Sequence, residues 1–336
     1  MSDSSTSIPT PTLGLAFGGG GMKGWAHVGV VSVLERYGLA PDVLAGCSAG
    51  AVTAAYLAAG YDPDEIAGFM RAQKTRALFG YRFDRHGLLS TSEFGDYLRD
   101  HLGDITFADL ERPLYVSATD LHTGQEVLLS SGPVVEALLA SCAMPGYFAP
   151  VRHQGRLLVD GGLRNNLPIS ALVTHGATFT VGVQMHKRVG ALSPALRSFS
   201  TLSNQSALES GDGSSDGAGD GPGDPTTGET SDVERRVGLD QWVGRLRSRF
   251  RFASSDLPNA LQVLERSMEI LFAEIEGYRI QTYPPDLLIT PRVTGMSTLS
   301  FSVEKETIFQ CGVEAAEREA DSLERLAALL KRSAST

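Results

Sequence analysis

Short apolar runs alternate with segments of helical spacing along the first half of the chain. Residues 13–17, 43–45 and 114–119 are apolar runs of strand length. The segment 25–37 instead places its apolar side chains near one face of a helix. Further strands are predicted at 125–129, 155–159, 178–183 and 286–290, and further helices at 133–142 and 303–332. This alternation predicts an α/β fold with three layers (α/β/α) and a mostly parallel central sheet.

The pattern breaks at residues 203–232, which are rich in Gly, Ser, Asp and Thr and contain no Lys or Arg. Such a segment buries too little apolar surface to offset its ordering entropy, so we predict a disordered acidic linker. Its aspartates are irregularly spaced and lack the glutamate of an EF-hand, which disfavours a calcium loop. The expected organisation is a flexible tail at 1–12, a catalytic core at 13–200, the linker, and a helical part at 233–332 that completes the same domain.

Bulk composition narrows the class of protein. The chain has 336 residues, 42% of them hydrophobic, and a net charge of −10, which argues against binding nucleic acid by bulk attraction. Its three cysteines form no CxxC pair, so neither a disulfide framework nor a zinc site is expected. The N-terminus has no signal-peptide pattern, and no apolar run approaches the length of about 18 residues that indicates a spanning helix. A cytoplasmic location is therefore expected.

A basic amphipathic segment follows the linker at 236–252. Apolar residues recur there at helical spacing among several arginines. Such a helix can lie on an anionic membrane surface, which would give a peripheral membrane contact. The alternative is a helix packed on its own domain with a solvated basic face.

The chemistry of the chain centres on Gly46-Cys47-Ser48-Ala49-Gly50, which lies between an apolar run and an Ala-rich segment. This arrangement predicts a strand, a tight turn and a helix, with Ser48 at the apex. Gly46 and Gly50 remove Cβ atoms where the two arms of the turn are closest. A serine there also sits at a helix N-terminus, where unpaired N–H groups favour negative charge. The pattern favours a nucleophile elbow over an ordinary turn with a serine N-cap only if other parts of the chain supply partners.

Two other junctions have the same form, a strand followed by small residues. They are the glycine-rich loop at 18–24 and the Asp160-Gly161-Gly162 turn. Because the carboxyl ends of parallel strands meet at one edge of a sheet, the three junctions are expected to bring a glycine-rich backbone, a serine and an aspartate together.

The loop at 19–24 also fits GxGxxG, the dinucleotide-binding fingerprint. That fingerprint requires an acidic residue at the end of the second strand, whereas Asp42 precedes its strand. A Walker A lysine pattern is absent as well. The alternative is that the backbone N–H groups of the loop stabilise the oxyanion of an acyl-transfer reaction.

A serine nucleophile needs a base, and the residues leave two options. His186, just past a predicted strand, is the better histidine for a triad, because His175 has the position of a helix cap and His27 is expected to be packed. Alternatively, Asp160 takes the serine proton directly, if a dry site raises its pKa.

Five ordered motifs then carry a family resemblance: LAFGGGGMKGWAHVGV, AGCSAGAV, SATDLHTGQEVLLSSG, SCAMPGYFAPV and VDGGLRNNLPI. The chain resembles the patatin-like phospholipases, most closely their bacterial branch, from about residue 13 to 188 and more weakly from 285 to 316. The resemblance implies a patatin-like fold and hydrolysis of lipid acyl esters without a metal or cofactor. It implies a Ser48–Asp160 dyad without histidine. The implied oxyanion donors are Gly19, Gly20 and Gly21, and the implied supporting residues are Lys23, Gly24, Gly46, Gly50, Gly161 and Gly162.

The region from about 195 to 260 departs from the short connections expected in this family. The sequence therefore does not predict how a substrate reaches the site. Two other functions are kept as hypotheses. One is a lipid-binding or regulatory patatin-like module with little turnover, and the other is nucleotide binding through GxGxxG. The sequence gives neither the head group nor the acyl-chain length nor the oligomeric state.

Overall fold

A computed structural model describes residues 12–73, 80–81, 89–185, 260–293 and 304–333. The predicted acidic linker, the basic segment at 236–252 and His186 lie outside the described residues. The described residues up to Met185 and those from Leu264 onward belong to one compact unit.

The secondary structure follows the apolar pattern closely. The strands are β1 (Leu13–Phe17), β2 (Val43–Cys47), β3 (Gly80–Tyr81), β4 (Leu89–Ser90), β5 (Leu114–Asp120), β6 (Glu126–Leu129), β7 (Val151–His153), β8 (Arg156–Asp160), β9 (Phe179–Val183) and β10 (Leu287–Ile289). The helices are α1 (Trp25–Arg36), α2 (Ala49–Ala58), α3 (Pro63–Ala72), α4 (Ser92–Leu102), α5 (Val134–Ser141), α6 (Ile169–Thr174), α7 (Ala260–Thr282), α8 (Lys305–Glu317) and α9 (Ala320–Ser333). Short 3-10 turns at Gly21–Gly24 and Gly161–Leu163 flank the site described below.

The main sheet has the strand order β10-β9-β1-β2-β5-β8-β7, and β6 also pairs with β5. The pairs from β10 through β5 are all parallel. The pairs of β5 with β6 and β8, and of β7 with β8, are antiparallel. The sheet is therefore mostly parallel, as predicted, with an antiparallel edge.

Alternation along β1 explains the layers. Leu13, Leu15 and Phe17 belong to a large core with residues of α1, α2 and α5, whereas Ala16 belongs to a second core with residues of α6. Successive strand residues face opposite sides of a sheet, so helices cover both faces. This confirms the predicted three-layer α/β/α fold.

The last strand joins residues far apart in sequence. β10 pairs with β9 in parallel, with Ile289 opposite Val183. The C-terminal part thus adds a strand to the sheet that carries the glycine loop. That the whole of 233–332 completes the same domain stays a prediction.

One premise from the sequence is wrong. We expected Asp160 to follow a parallel strand, but β8 runs antiparallel to β5, with Asp160 opposite Ala118. β8 enters the sheet from beyond the carboxyl end of β5 and reaches that edge with its last residue. Cys47 pairs with Ser117, the neighbour of Ala118, so the serine and aspartate junctions still meet.

Candidate active site

Ser48 occupies a strained turn between β2 and α2. Its φ of 52° and ψ of −126° lie in a region that side chains rarely adopt, at a cost of about 1–3 kcal/mol. A Cβ on Gly46 would lie 2.5 Å from the Cα of Ala51, and one on Gly50 would lie 2.4 Å from the carbonyl oxygen of Phe17. Both glycines are therefore required by the path of the backbone.

We predict that Gly50→Ala lowers the free energy of unfolding by about 3 kcal/mol or more, because the new methyl group overlaps a backbone oxygen that cannot move freely. Urea unfolding followed by circular dichroism measures the change. Gly68→Ala is the matched control, since Gly68 lies in α3, is exposed and has open space around it. That variant should gain about 0.5–1 kcal/mol. Equal stabilities for the two variants would contradict the requirement for glycine at the elbow.

The backbone of Ser48 is held by Ser141, at the end of α5. The Ser48 N–H donates to Ser141 Oγ at 2.8 Å, and Ser141 Oγ donates to the carbonyl of Ser117 at 2.7 Å. Ser141 is fully buried. This bridge joins the elbow to β5 and fixes the strained residue. Sequence reasoning missed it, although Ser141 opens the quoted SCAMPGYFAPV motif.

Asp160 lies beside Ser48 and is almost completely buried, with 3% exposure. Its Oδ1 accepts hydrogen bonds from the Gly162 N–H at 2.8 Å and from the Cys47 thiol at 3.6 Å. Burial raises the pKa of Asp160 to about 6, although the Gly162 N–H, the nearby Ser48 side chain and the Cys47 thiol favour the carboxylate and oppose the rise. A carboxylate with this pKa, buried beside a serine side chain, is chemically able to accept the serine proton.

Cys142 is the other potential nucleophile beside Ser48. It lines the same pocket as Ser48, but burial raises the pKa of its thiol far above the ordinary value of a cysteine. The pKa of Cys47 is raised as well, again chiefly by burial. Both thiols therefore stay protonated at neutral pH, which makes Ser48 the better candidate.

The glycine-rich loop packs directly on the elbow. A Cβ on Gly19 would lie 3.2 Å from the Cβ of Ser48, and a Cβ on Gly24 would lie 2.7 Å from that of Ala49. Gly161 approaches β5 as closely, since its Cβ would lie 2.3 Å from the carbonyl oxygen of Ser117. The three junctions predicted from the sequence thus lie together.

The amides of the loop are not equivalent. The Gly19 N–H donates to the backbone oxygen of Asn166 at 3.1 Å. Among the described residues, the N–H groups of Gly20 and Gly21 have no such acceptor. Gly20 is the N-cap and Gly21 the first residue of the 3-10 turn, where unpaired amides favour negative charge. Of the three predicted oxyanion donors, Gly20 and Gly21 are therefore the ones free to serve.

Lys23 and Asn166 tie the loop to α7. Lys23 Nζ pairs with Glu269 at 2.9 Å, and both side chains are largely buried. The Asn166 amide donates to the carbonyl of Gly19 at 3.4 Å and to the carboxylate of Glu276. Burial raises the pKa of Glu276 to about 7, against hydrogen bonds that lower it. The sequence signalled Lys23 through the motif but gave no role to Asn166 or Glu276.

His27 and His175 have the positions that were predicted from the sequence. His27 is fully buried, its Nε2 lies 2.8 Å from the carbonyl of Gly18, and burial lowers its pKa to about 4. A neutral ring there donates from Nε2. His175 ends α6 and contacts the carbonyl of Ala171, as expected of a cap. His186 lies outside the described residues, so its role stays a prediction.

Asp42 does not complete a dinucleotide site. Its carboxylate accepts the backbone N–H of Leu13 at 2.7 Å, at the start of β1. The glycine loop follows the opposite end of that strand, so Asp42 cannot contact a ribose bound there.

An open pocket adjoins these groups, and its volume, open solvent included, is about 1230 Å³. Ser48, Asp160 and the glycine loop form one part of its wall, and most of the remaining wall is apolar. Within the described residues, no group of three or more His, Cys, Asp or Glu side chains is placed to hold a metal ion. None of the helices in the described part of the chain is both long and apolar enough to cross a bilayer.

Comparison with known proteins identifies the type of domain. The family model for patatin-like phospholipase matches residues 15–173. An uncharacterised NTE family protein of Mycobacterium bovis is 35% identical over 180 residues, which are 53% of this chain and 50% of that protein. A lysophospholipase of Scheffersomyces stipitis is 29% identical over 186 residues, which are 53% of this chain but 12% of that protein.

Structural comparison gives the same fold. VipD from Legionella pneumophila has a TM-score of 0.52 at 15% identity, covering 94% of this chain and 68% of VipD. The chain therefore carries a patatin-like phospholipase domain, a domain of lipid-hydrolase type, which confirms the family predicted from the motifs. It spans about half the length of the Mycobacterium relative.

Proposed function

We propose that the protein is a serine acyl hydrolase that acts on lipid esters through a Ser48–Asp160 dyad. The observation that carries the proposal is the placement of Asp160: it lines the same pocket as Ser48, its Oδ1 accepts the thiol of the adjacent Cys47, and burial raises its pKa to about 6. A binding module would need neither a strained serine nor a base beside it. The apolar pocket wall fits an acyl chain.

The first half-reaction forms an acyl-enzyme. Ser48 Oγ attacks the ester carbonyl carbon while its proton moves to Asp160. The carbonyl oxygen becomes an oxyanion that accepts hydrogen bonds from the amides of Gly20 and Gly21. When the intermediate collapses, the bond to the leaving oxygen breaks and Asp160 returns the proton to that oxygen.

The second half-reaction releases the product. Water attacks the acyl carbon and gives a proton to Asp160, and the oxyanion forms at the same amides. When this intermediate collapses, the bond between the acyl carbon and Ser48 Oγ breaks. Ser48 regains its proton from Asp160, and the free fatty acid is released. Gly19 would join the donors only if its amide left the oxygen of Asn166.

The relatives narrow the substrate to test first. One is named a lysophospholipase and another, from Drosophila melanogaster, a neuropathy target esterase, at 26% identity over 52% of this chain and 13% of that protein. We therefore propose lysophospholipids and phospholipids as substrates, reached from a membrane surface. The membrane contact through 236–252 and the cytoplasmic location remain predictions.

A substrate panel tests the proposal. Purified protein is incubated with a lysophospholipid, a diacyl phospholipid and a triacylglycerol, and fatty acid release is followed by mass spectrometry. We expect release from at least one lipid by the wild type. Stoichiometric lipid binding with no release from any ester would instead favour the regulatory or lipid-binding module.

A further inference from the structure

The pocket next to Ser48 follows one face of α2. Val52 and Tyr56 line it one and two turns beyond Ser48. Residues four apart lie on the same side of a helix, so the lining side chains form a continuous strip. The pocket is therefore a groove that runs from Ser48 along α2.

The facing wall of the groove comes from α3 and α4. Ile66 and Met70 line it from one side of α3, and Gln73 lines it just after that helix ends. Phe94 and Tyr97 line it from α4. A short turn at 59–62 joins α2 to α3, so the beginning of α3 lies next to the end of α2. Ile66 thus lies at the Tyr56 end of the groove, and Gln73 lies back toward Ser48.

Burial shows which end is closed. Tyr56 and Ile66 are each 1% exposed, whereas Val52, Met70 and Gln73 are only partly buried. The ring of Tyr56 is fixed by the rings of Tyr61 at 5.7 Å and Phe69 at 5.9 Å. These packed aromatic side chains form a rigid floor.

The charged lining residues lie away from this floor. Lys305 Nζ donates to the carbonyl of Met70 at 2.7 Å, at the end of α3. Glu269 pairs with Lys23, on the glycine-loop side of Ser48. The groove beyond Ser48 therefore suits an alkyl chain, and a polar head group would be placed at the other end.

The length of the groove sets the length of that chain. From Ser48 to Tyr56, α2 rises about 12 Å at about 1.5 Å per residue. An extended chain advances about 1.2 Å per bond, so about ten carbons fit before the floor.

We infer that the groove along α2 binds a single medium-length acyl chain, of about ten carbons, and that Tyr56 and Ile66 limit its length. This inference rests on the proposed hydrolase function and assigns its substrate class. A longer chain would have to displace the packed side chains at the floor.

The test compares kcat/KM for butanoyl, decanoyl and hexadecanoyl p-nitrophenyl esters, presented in mixed micelles at equal surface concentration. We expect the wild type to prefer the decanoyl ester. Tyr56→Leu shortens the side chain at the floor and so lengthens the groove. It should raise the hexadecanoyl-to-decanoyl ratio of kcat/KM at least about 10-fold. Val52→Phe fills the groove one turn from Ser48 and should lower the decanoyl-to-butanoyl ratio by a similar factor.

Controls within the same experiment separate the possible failures. Val173→Phe is the matched control for Val52→Phe, because Val173 is an exposed valine of α6 outside the pocket lining, and it should keep the wild-type profile. A variant that is merely less stable lowers all three rates alike, so only the ratios count. Unchanged ratios in both Tyr56→Leu and Val52→Phe would overturn the inference while leaving the hydrolase proposal intact. A wild type that cleaves none of the esters, nor any lipid of the panel above, would instead overturn the proposed function.

Discussion

Ser48→Ala should abolish fatty acid release, with kcat falling by about 10⁴-fold or more. Removing the nucleophile of a serine hydrolase leaves only the contribution of the oxyanion donors and of binding, and measured losses of this kind reach about 10⁶-fold. The same variant should fail to react with a fluorophosphonate probe, which labels only an activated serine. Gel fluorescence after labelling and a fatty acid assay measure the two effects separately.

The matched control for this variant is Ser32→Ala. Ser32 is a half-buried serine of α1 whose hydroxyl donates to the carbonyl of Gly29, and it does not line the pocket. Its replacement should leave labelling and turnover unchanged. If Ser48→Ala is labelled as strongly as the wild type, Ser48 is not the nucleophile and the proposed mechanism is wrong.

The local parts of the site could be predicted from the sequence because their requirements are local. The elbow needs glycines at fixed distances from Ser48, and the loop needs a run of residues without side chains. Both demands act within a few positions of the chain, so they appear as motifs. The strands on either side follow from the same apolar pattern.

Contacts between distant residues could not be predicted in this way. Ser141 lies 93 positions from Ser48, and Glu276 lies 110 positions from Asn166. A serine in SCAMPG or a glutamate in an amphipathic helix has no local signature of these contacts. They become visible only when the sheet brings α5 and α7 against the site.

The direction of β8 was missed for a related reason. The chain between β5 and β8 contains β6, α5 and β7, and the course of this connection decides whether β8 enters parallel or antiparallel. The sequence of β8 itself carries no such information. Asp160 reaches the active edge either way, which is why the predicted partner of Ser48 did not depend on the wrong premise.

Asp160→Asn should lower kcat/KM by about 10³-fold or more, because an amide cannot take the serine proton. In the wild type, kcat/KM should rise with pH through about 6, the pKa to which burial raises Asp160. The variant should lose this rising limb of the pH profile. Initial rates measured from about pH 4 to about pH 8, two units on either side of that pKa, show both effects.

The same substitution should make the protein more stable at neutral pH. The pKa of Asp160 is higher in the folded protein than its ordinary value of 3.8, so the folded state binds the proton more tightly. The stability of the wild type therefore falls as the pH rises from 3.8 to about 6 and stays reduced above that. At about 1.4 kcal/mol per pKa unit, the difference reaches about 3 kcal/mol.

Asp160→Asn removes this penalty, so its advantage in free energy of unfolding should be present at pH 8 and vanish near pH 4, by the linkage just described. A variant that is inactive yet more stable cannot owe its inactivity to misfolding. His186→Ala decides between the two bases, since a dyad requires it to keep wild-type activity within about 3-fold. If His186→Ala is instead as inactive as Ser48→Ala, the base is the histidine. The raised pKa of Asp160 would then reflect burial without a role in proton transfer.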